Sequence, residues 1–217
     1  MKWLNYFSNS NIPYRIYKIK KNDLIIINKH FIISNSIIIL YGTMFFCKVF
    51  NNQELFPIAI LNTNNIIYLK SLHIDNECYY KLIALDKTYI LSFSCSYLIN
   101  KKKMNKELLI CIINAYQNTF IKYELINSIL SHKYIKLRLV HLILVFSLEF
   151  GIVYNHNIII PFNLPQKYLI YILNTNYITV NKIINFLIRQ NIIKYSSDKI
   201  LSLHSILNLS YNLLSDC

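Results

Sequence analysis

Glycine and arginine are nearly absent from this sequence of 217 residues. It has two glycines, and its three arginines are Arg15, Arg138 and Arg189, while the other 20 of its 23 basic residues are lysines. So few glycines exclude the Gly-rich loops that cradle phosphates. The abundant isoleucine, asparagine, lysine, tyrosine and phenylalanine have AT-rich codons, so the skew indicates a strongly AT-biased genome such as that of an organelle.

Acidic residues are also few, ten against 23 basic ones, which gives a net charge of +13. This balance favours nucleic acid or anionic lipid as a partner. With 54% hydrophobic and 15% charged residues, the composition excludes a disordered chain. The start of the sequence lacks the apolar core and small residues of a secretory signal.

Cysteine and histidine show no pattern of a metal centre or a catalytic site. The five cysteines are widely spread without a Cys-x-x-Cys pair, which argues against a disulfide framework and a zinc site and predicts buried thiols. The six histidines lack the spacing of metal ligands, and the ten acids are scattered. We therefore expect neither an enzyme nor a bound metal.

One uncharged stretch, residues 31–47, raises the question of a membrane span. It is barely long enough for a crossing helix. Its Ile37-Ile38-Ile39 run, followed by Tyr41-Gly42-Thr43, is more typical of two short buried strands joined by a turn. We therefore expect no membrane partner.

The first hundred residues predict an all-β domain. Segments rich in β-branched and aromatic residues alternate with polar breaks about every ten residues, a spacing typical of an antiparallel sandwich or barrel. The domain is predicted to span residues 1–103 and to end in a lysine triplet. Its predicted strands are residues 14–19, 24–27, 37–41, 44–49, 55–61, 79–84 and 88–94.

A heptad-like spacing follows the triplet and predicts a dimerisation helix over residues 104–131. Such an apolar seam pairs with a second copy of itself, and Asn127 would favour one register of the dimer. The alternative is a helix that lies on its own β domain. The seam consists of Leu109, Ile113, Tyr116, Phe120 and Tyr123, continued by Asn127 and Leu130.

Residues 132–217 have the order of a winged helix-turn-helix, so the fold class is α+β. A buried helix ends at Phe150, where Gly151 fits a left-handed C-cap, and a short strand follows at 157–161. Helices at 166–172 and 177–190 flank a turn in which Asn174 suits a left-handed residue. Strands at 192–195 and 200–203 complete a hairpin.

This helix pair can present a polar face to DNA. Apolar residues at positions 169, 173, 178, 180, 183 and 187 can pack inward, which leaves amide, hydroxyl and basic groups outside. Such groups bond to base edges and phosphates in a major groove, although any two-helix hairpin shows part of this pattern. The candidate DNA-binding residues are Gln166, Lys167, Asn176, Tyr177, Thr179, Asn181, Lys182 and Arg189.

Several segments resemble the Crp/Fnr family of transcription regulators, and within it the NtcA group of nitrogen regulators, some of which are encoded in algal plastids. The resemblance covers most of the chain and is specific beyond residue 104. The segments that carry it are Arg138-Leu139-Val140, Glu149-Phe150-Gly151, Ile158-Ile159-Ile160, Ile178-Thr179-Val180-Asn181-Lys182 and residues 204–210, with Leu40-Tyr41-Gly42-Thr43-Met44 in the β domain.

The resemblance implies a cyclic-nucleotide-binding-like β-roll, a dimerisation helix and a winged helix that reads a palindromic promoter. It implies base-reading roles for Tyr177, Ile178 and Lys182, and phosphate contacts for Asn176 and Thr179. The family usually has arginine at positions 177 and 182; lysine is a point charge where arginine is bidentate to guanine, so we expect an altered sequence preference. The implied partners are promoter DNA, a second copy of the chain and RNA polymerase, in a plastid.

At the positions of the family's effector pocket, this sequence departs further from the family's pattern. Its turn reads Ile66-Ile67-Tyr68-Leu69, and the following strand has Cys78 and Tyr79 in place of arginine. Glu124 matches a residue that helps to hold 2-oxoglutarate in the NtcA group, but the position of its partner arginine is Thr119. A dianion without a guanidinium is poorly compensated. This argues against cyclic AMP and 2-oxoglutarate, and we expect no cofactor.

The sequence is therefore interpreted as a homodimeric, sequence-specific DNA-binding regulator of transcription in a plastid. Lys194 would add a phosphate contact to those of the helix pair. The alternative is a diverged β-roll with helices that bind a protein partner and have no role at DNA.

Overall fold

The computed structural model describes residues 2–28, 35–68, 72, 78–99, 106–155, 157–162, 164–196 and 200–204. The chain divides into two units, Met1–Glu124 and Leu125–Cys217, and the division falls within one long helix. Several predicted features lie outside the described residues: the lysine triplet 101–103, the hairpin turn 197–199, residues 205–210, Leu69, Cys217, His30, His73 and His156.

The strands of the first unit form two antiparallel sheets, in the orders β1-β8-β3-β6 and β2-β7-β4-β5. Every strand that was predicted from the sequence is confirmed, with ends that shift by at most two residues. The elements in chain order are α1 (Lys2–Asn9), β1 (Tyr14–Ile19), β2 (Leu24–Ile27), β3 (Asn35–Tyr41), β4 (Met44–Phe50), β5 (Leu55–Leu61), β6 (Ile66–Tyr68), β7 (Cys78–Ala84), β8 (Thr88–Ser94), α2 (Ser96–Ile99) and α3 (Lys106–Ser131).

The inner faces of these sheets enclose an apolar core, which makes the first unit the expected β-roll. Ile39 of the first sheet is buried together with Leu61 and Leu82 of the second. Phe46 stacks on Tyr80 with 5.6 Å between the ring centroids. Each large apolar side chain buried in this way contributes roughly 1.5–3 kcal/mol, so alternate residues along each strand hold the two sheets together.

A second apolar cluster covers the outer face of the first sheet and includes a helix that the sequence analysis missed. Trp3 and Phe7 of α1 pack there with Leu108 and Ile112 of α3 and with Phe93 of β8. An isolated helix shorter than about 12 residues is marginal in water. The eight residues of α1 are therefore helical because of this packing, and the local sequence does not predict the helix.

A buried hydroxyl joins α3 to the first sheet. Residues 66–68, which the sequence analysis interpreted as part of a turn, form β6 and pair with β3. The Thr119 hydroxyl accepts a hydrogen bond from the Ile66 N–H and donates one to the Ala115 carbonyl, both at 2.8 Å. Thr119 is 2% exposed, so this side chain serves the packing of the unit.

Helix α3 is covered on one side and exposed on the other. Leu108, Ile112 and Ala115 are buried against the first unit, which confirms that the helix lies on its own β domain. The seam prediction was wrong for Tyr116 and Tyr123, which pack on the β-roll, because heptad positions drift around an α-helix of 3.6 residues per turn. The exposed apolar side chains of the helix are Leu109, Ile110, Ile113, Phe120 and Ile121.

The second unit confirms the predicted order of helices and strands. Its sheet has the order β11-β12-β10-β9, and β9 was not predicted. Of the remaining seam residues, Asn127 is exposed and Leu130 is half-buried. The elements are α4 (Ile135–Phe150), β9 (Ile152–Tyr154), β10 (Asn157–Ile159), α5 (Gln166–Leu173), α6 (Tyr177–Arg189), β11 (Ile193–Tyr195) and β12 (Leu201–Leu203).

Asparagine takes the backbone positions that usually require glycine. Asn, with its short polar side chain, is among the residues that best tolerate a positive φ. Gly42 remains where φ is 93° and an added Cβ would contact the Thr88 side chain and backbone. Within the described ranges, the non-glycine residues with positive φ are Asn11, Asn22, Gln53, Asn64, Asn155, Asn174 and Asn191.

The expectation of a left-handed cap at Gly151 was wrong. Its φ is −63° and its ψ is 136°, so the backbone is extended. Its N–H donates to the Ser147 carbonyl at 3.0 Å, and an added Cβ would collide with that same oxygen and with the Ile158 side chain. Glycine is needed here for close approach and not for chirality.

Cys47, Cys78 and Cys95 are buried thiols, whereas Cys111 is half-buried. Burial raises the pKa of the Cys47 thiol to about 12. Within the described ranges, no three His, Cys, Asp or Glu side chains are grouped as metal ligands, and no helix is long and apolar enough to cross a membrane.

Candidate nucleic-acid interface

Asn174 and Asn176 set the angle between helices α5 and α6. Asn174 has φ 49° and ψ 61°, the left-handed conformation that was predicted, and ends α5. Asn176 is extended, and its side-chain oxygen accepts a hydrogen bond from the Thr179 N–H at 2.9 Å. An N-cap of this kind stabilises a helix by about 1 kcal/mol. Both residues therefore fix where the exposed start of α6 points.

The inner sides of the two helices share a small apolar core. Leu169 and Leu173 of α5 and Val180 and Leu187 of α6 are buried, as expected. Ile178 was also expected to pack inward, but it is 65% exposed. Its position directly after the first residue of α6 turns it away from α5, so the pattern-based assignment was wrong for this residue.

The outer side of α6 presents the Tyr177 hydroxyl, the apolar side chain of Ile178 and the Lys182 ammonium. Tyr177 is 56% exposed, and Lys182 and Arg189 are exposed as well. Thr179, the third residue of the helix, is half-buried. The sequence has no carboxylate between Glu149 and Asp198, so the field around this helix face is positive and attracts a polyanion.

Two of the candidate contact residues bond to each other across the helix pair. The side-chain oxygen of Asn181 accepts hydrogen bonds from Gln166 at 3.4 Å and from Asn185 at 3.3 Å. Gln166 and Asn181 are half-buried. Asn185 could not be singled out from the sequence, since an i, i+4 amide pair on a helix gives no signal of its own.

The hairpin β11–β12 lies beside the start of α6. The Tyr195 hydroxyl donates to the Leu164 carbonyl at 2.5 Å. Burial, and then the nearby Tyr177 hydroxyl, raise the pKa of Tyr195 to about 12. Lys194, the neighbouring residue on β11, is exposed. Tyr195 was missed from the sequence because its partner is 31 residues away.

Lys167, at the start of α5, is exposed and places its ammonium 5.0 Å from the centre of the Tyr168 ring.

Three histidines have side-chain hydrogen-bond partners among the described residues. Nε2 of His132 lies 3.0 Å from Nδ1 of His141, and Nδ1 of His204 lies 2.7 Å from the Asn157 side-chain oxygen.

One arginine connects the segment before α4 with the end of α5. The Arg138 Nε donates to the His132 carbonyl at 2.8 Å, and its Nη1 donates to the Leu173 carbonyl at 3.2 Å. Leu173 immediately precedes the left-handed Asn174. The planar guanidinium satisfies both carbonyls at once, which an ammonium at the end of a flexible stem does not reproduce. The rarity of arginine in this sequence was the one signal that could have revealed the bridging role of Arg138.

The candidate effector residues do not form a charged pocket with one another. Glu124 is exposed, while Thr119 is buried and bonded to strand β6 and to its own helix. Cys78 is buried at the start of β7. Glu124 and Thr119 would have to bind a dianion together, but the first is exposed and the second is buried.

Comparison with known proteins finds one similar sequence and several solved structures with this architecture. The chain is 29% identical over 199 residues to a protein of Porphyra purpurea that is described as an HTH-type transcriptional regulator, ycf28, and the match covers 92% of the chain and 82% of the relative. Two solved structures from Thermus thermophilus share the fold. The chain has a Crp/Fnr-like fold.

The first of these structures is a CRP-family transcriptional regulator, with a TM-score of 0.73, 11% identity, and coverage of 90% of this chain and 95% of that one. The second is a CRP/FNR-family regulator, with a TM-score of 0.67, 14% identity, and coverage of 91% and 97%. No protein-family profile matches the sequence. The Crp/Fnr-like chain thus has the β-roll and helix-turn-helix of these regulators.

Replacement of Arg138 by lysine should weaken the second unit. The charge is kept, but one of the two carbonyls, of His132 or Leu173, loses its donor, which costs about 1–3 kcal/mol of unfolding free energy. Urea unfolding followed by circular dichroism measures the change. Arg189→Lys, at an exposed position, is the matched control and should stay within about 0.5 kcal/mol of wild type. Equal stability of the two variants would contradict the bridging role of Arg138.

Proposed function

We propose that this Crp/Fnr-like protein is a sequence-specific DNA-binding regulator of transcription, not an enzyme. The observation that carries the proposal is the outer side of α6, where Tyr177, Ile178 and Lys182 are exposed on a helix that contains no carboxylate. The helix follows a left-handed turn and is flanked by a short hairpin, as in a winged helix-turn-helix. The description of the Porphyra purpurea relative supports the same function.

In the proposed complex, the start of α6 enters a major groove. Tyr177, Ile178 and Lys182 meet base edges, while Asn176 and Thr179 lie toward the backbone. Lys167, Lys194 and Arg189 supply phosphate contacts around this helix. Gln166 and Asn181 support the contact indirectly, since each already bonds to the other.

We further propose that the protein acts as a homodimer. Leu109, Ile113 and Phe120 recur on one side of α3, and Phe120 is 60% exposed. Side chains at this spacing form the contact of a helix pair. In a dimer, two copies of α6 would enter successive major grooves about 34 Å apart on a palindromic site.

The AT-rich codon bias and the red algal relative ycf28 support a plastid as the location. The resemblance to the NtcA group extends the proposal to promoters of nitrogen-related genes, with RNA polymerase as a further partner. A protein-interaction module without DNA binding is the competing function, and the DNA experiment below separates the two.

We also propose that the β-roll binds neither cyclic AMP nor 2-oxoglutarate. Glu124 is exposed, and Thr119 contributes a bonded hydroxyl where a guanidinium would be required. The roll instead has an apolar interior in which Phe46 and Tyr80 stack. The carboxylates or phosphate of either compound would lose hydration there without a cation in return.

Lys182→Ala and Tyr177→Ala should weaken DNA binding in different ways. Duplexes selected from a random pool serve as probes in gel-shift titrations at two salt concentrations. Loss of Lys182 removes a base contact together with one positive charge, so it should cost about 1–3 kcal/mol on the selected duplex and also reduce the salt slope by up to about 1. Loss of Tyr177 should cost about 1–3 kcal/mol on the selected duplex and little on a scrambled one. Lys20→Ala, exposed on the first unit, is the charge-matched control. Failure to enrich any duplex, or unchanged binding by both variants, would overturn the proposal.

The intact protein should sediment at twice the chain mass of 25.8 kDa at micromolar concentration. Phe120→Glu should dissociate it, because a carboxylate would have to be buried in an apolar helix contact. Asn118→Glu, an exposed position on another side of α3, should leave the dimer intact. A monomeric wild type, or equal dissociation by both substitutions, would contradict the dimer.

Millimolar 2-oxoglutarate and cyclic AMP should leave the thermal midpoint of the protein unchanged, since a ligand stabilises only when it binds the folded state. Differential scanning fluorimetry measures the midpoint, with sodium succinate as a control for ionic strength. A saturable rise with either compound that Glu124→Gln abolishes would show that the pocket is retained.

A further inference from the structure

A polar groove lies at one end of the first sheet, apart from every residue considered so far for DNA or for the family effector. It has a volume of about 310 Å³, and its lining includes Tyr14, Arg15, Tyr17, Ser92, Ser94 and Tyr97 beside the apolar Pro13 and Phe93. We refer to it as the Arg15 groove. No aspartate or glutamate is among its lining residues.

Strand register explains why this groove is polar. In an antiparallel sheet, paired residues project from the same face. Tyr17 pairs with Ile90, and the next row pairs Arg15 with Ser92. Ser92 in turn pairs with Ile37, which is fully buried in the core. The face that is apolar in the middle of the sheet thus ends in a guanidinium and hydroxyl groups at β1.

Arg15 is exposed on this edge strand, and among the described residues its guanidinium has no hydrogen-bond or ion-pair partner. Arginine is rare in the chain, with three against 20 lysines. At Arg138, the planar fork is used on two acceptors at once. The fork of Arg15 is free to bind two oxygens of an external anion in the same bidentate manner.

We propose that the Arg15 groove binds a small phosphate monoester that carries a planar ring. The guanidinium would take two phosphate oxygens, and the hydroxyls of Ser92 and Tyr17 would donate to the remaining one. A carboxylate also has lone pairs for such donors, but it has no third oxygen and carries a single negative charge, so the fork and both hydroxyls fit a phosphate monoester better.

The ring of the ligand is inferred from the aromatic walls of the groove. Tyr17 and Tyr97 are 43% and 47% exposed and present ring surface to solvent. Planar groups pack against such rings in offset or edge-to-face geometry, worth about 0.5–1.5 kcal/mol beyond area burial. The volume of the groove exceeds what one phosphate group fills, so there is room for the ring beside the anion.

Isothermal titration calorimetry of the full chain tests this site with phenyl phosphate, inorganic phosphate and phenylacetate as probes. We expect saturable binding of phenyl phosphate, weaker binding of inorganic phosphate and the weakest binding of phenylacetate. Arg15→Gln should weaken phenyl phosphate by about tenfold or more, the usual loss for a charge-assisted bidentate contact. Arg15→Lys, which keeps the charge but loses the fork, should also bind it less well than wild type.

Lys18→Gln is the matched control, because it removes one positive charge from the same strand but on its other face. It should bind phenyl phosphate as wild type does. Thermal unfolding of each variant verifies that the exposed substitutions leave the fold intact. Absence of saturable binding, equal affinity for phenylacetate, or equal weakening by Arg15→Gln and Lys18→Gln would each overturn the proposal.

Discussion

The orientation of the candidate DNA-reading helix depends on one guanidinium and one left-handed residue. Arg138 holds the Leu173 carbonyl at the last turn of α5, and Asn174 reverses the chain directly after it. Beyond this corner, the Asn176 cap begins α6, and the buried Leu169 and Val180 contribute to the apolar core of the helix pair. The side chains that a nucleic acid would meet are therefore positioned by residues that never touch it.

A chain with two glycines and three arginines must meet steric and electrostatic demands with other residues. Asparagine takes left-handed positions such as Asn64 and Asn174, at a cost that its short side chain keeps small. Glycine survives at Gly42 and Gly151, where an added Cβ would meet backbone atoms. The scarcity thus separates positions that need only a positive φ from those that have no room for a side chain.

Helix α3 shows how one element can carry several functions on separate sides. Leu108 and Ile112 bury one side against the first unit, while Leu109 and Phe120 leave another side apolar and exposed. Thr119 lies on the buried side, where a hydroxyl suits the Ile66 N–H. In the sequence, Thr119 stands where the family has an arginine that holds the effector. In the structure, its hydroxyl is buried and hydrogen-bonded to both the Ile66 N–H and the Ala115 carbonyl.

The sequence by itself determined seven of the eight described strands of the roll, the helix pair α5 and α6 of the second unit and the left-handed turn between them. Those features follow from local rules: β-branched runs, the helical period and the tolerance of asparagine for positive φ. Only the tertiary structure decided that residues 2–9 are helical, that residues 66–68 form a strand, that Ile178 points outward and that Tyr116 and Tyr123 leave the seam. Each of these depends on partners far along the chain, as with Thr119 and Ile66, which are 53 residues apart. Periodicity gives the side of an element on which a residue lies, but the packing of distant elements determines which side is covered.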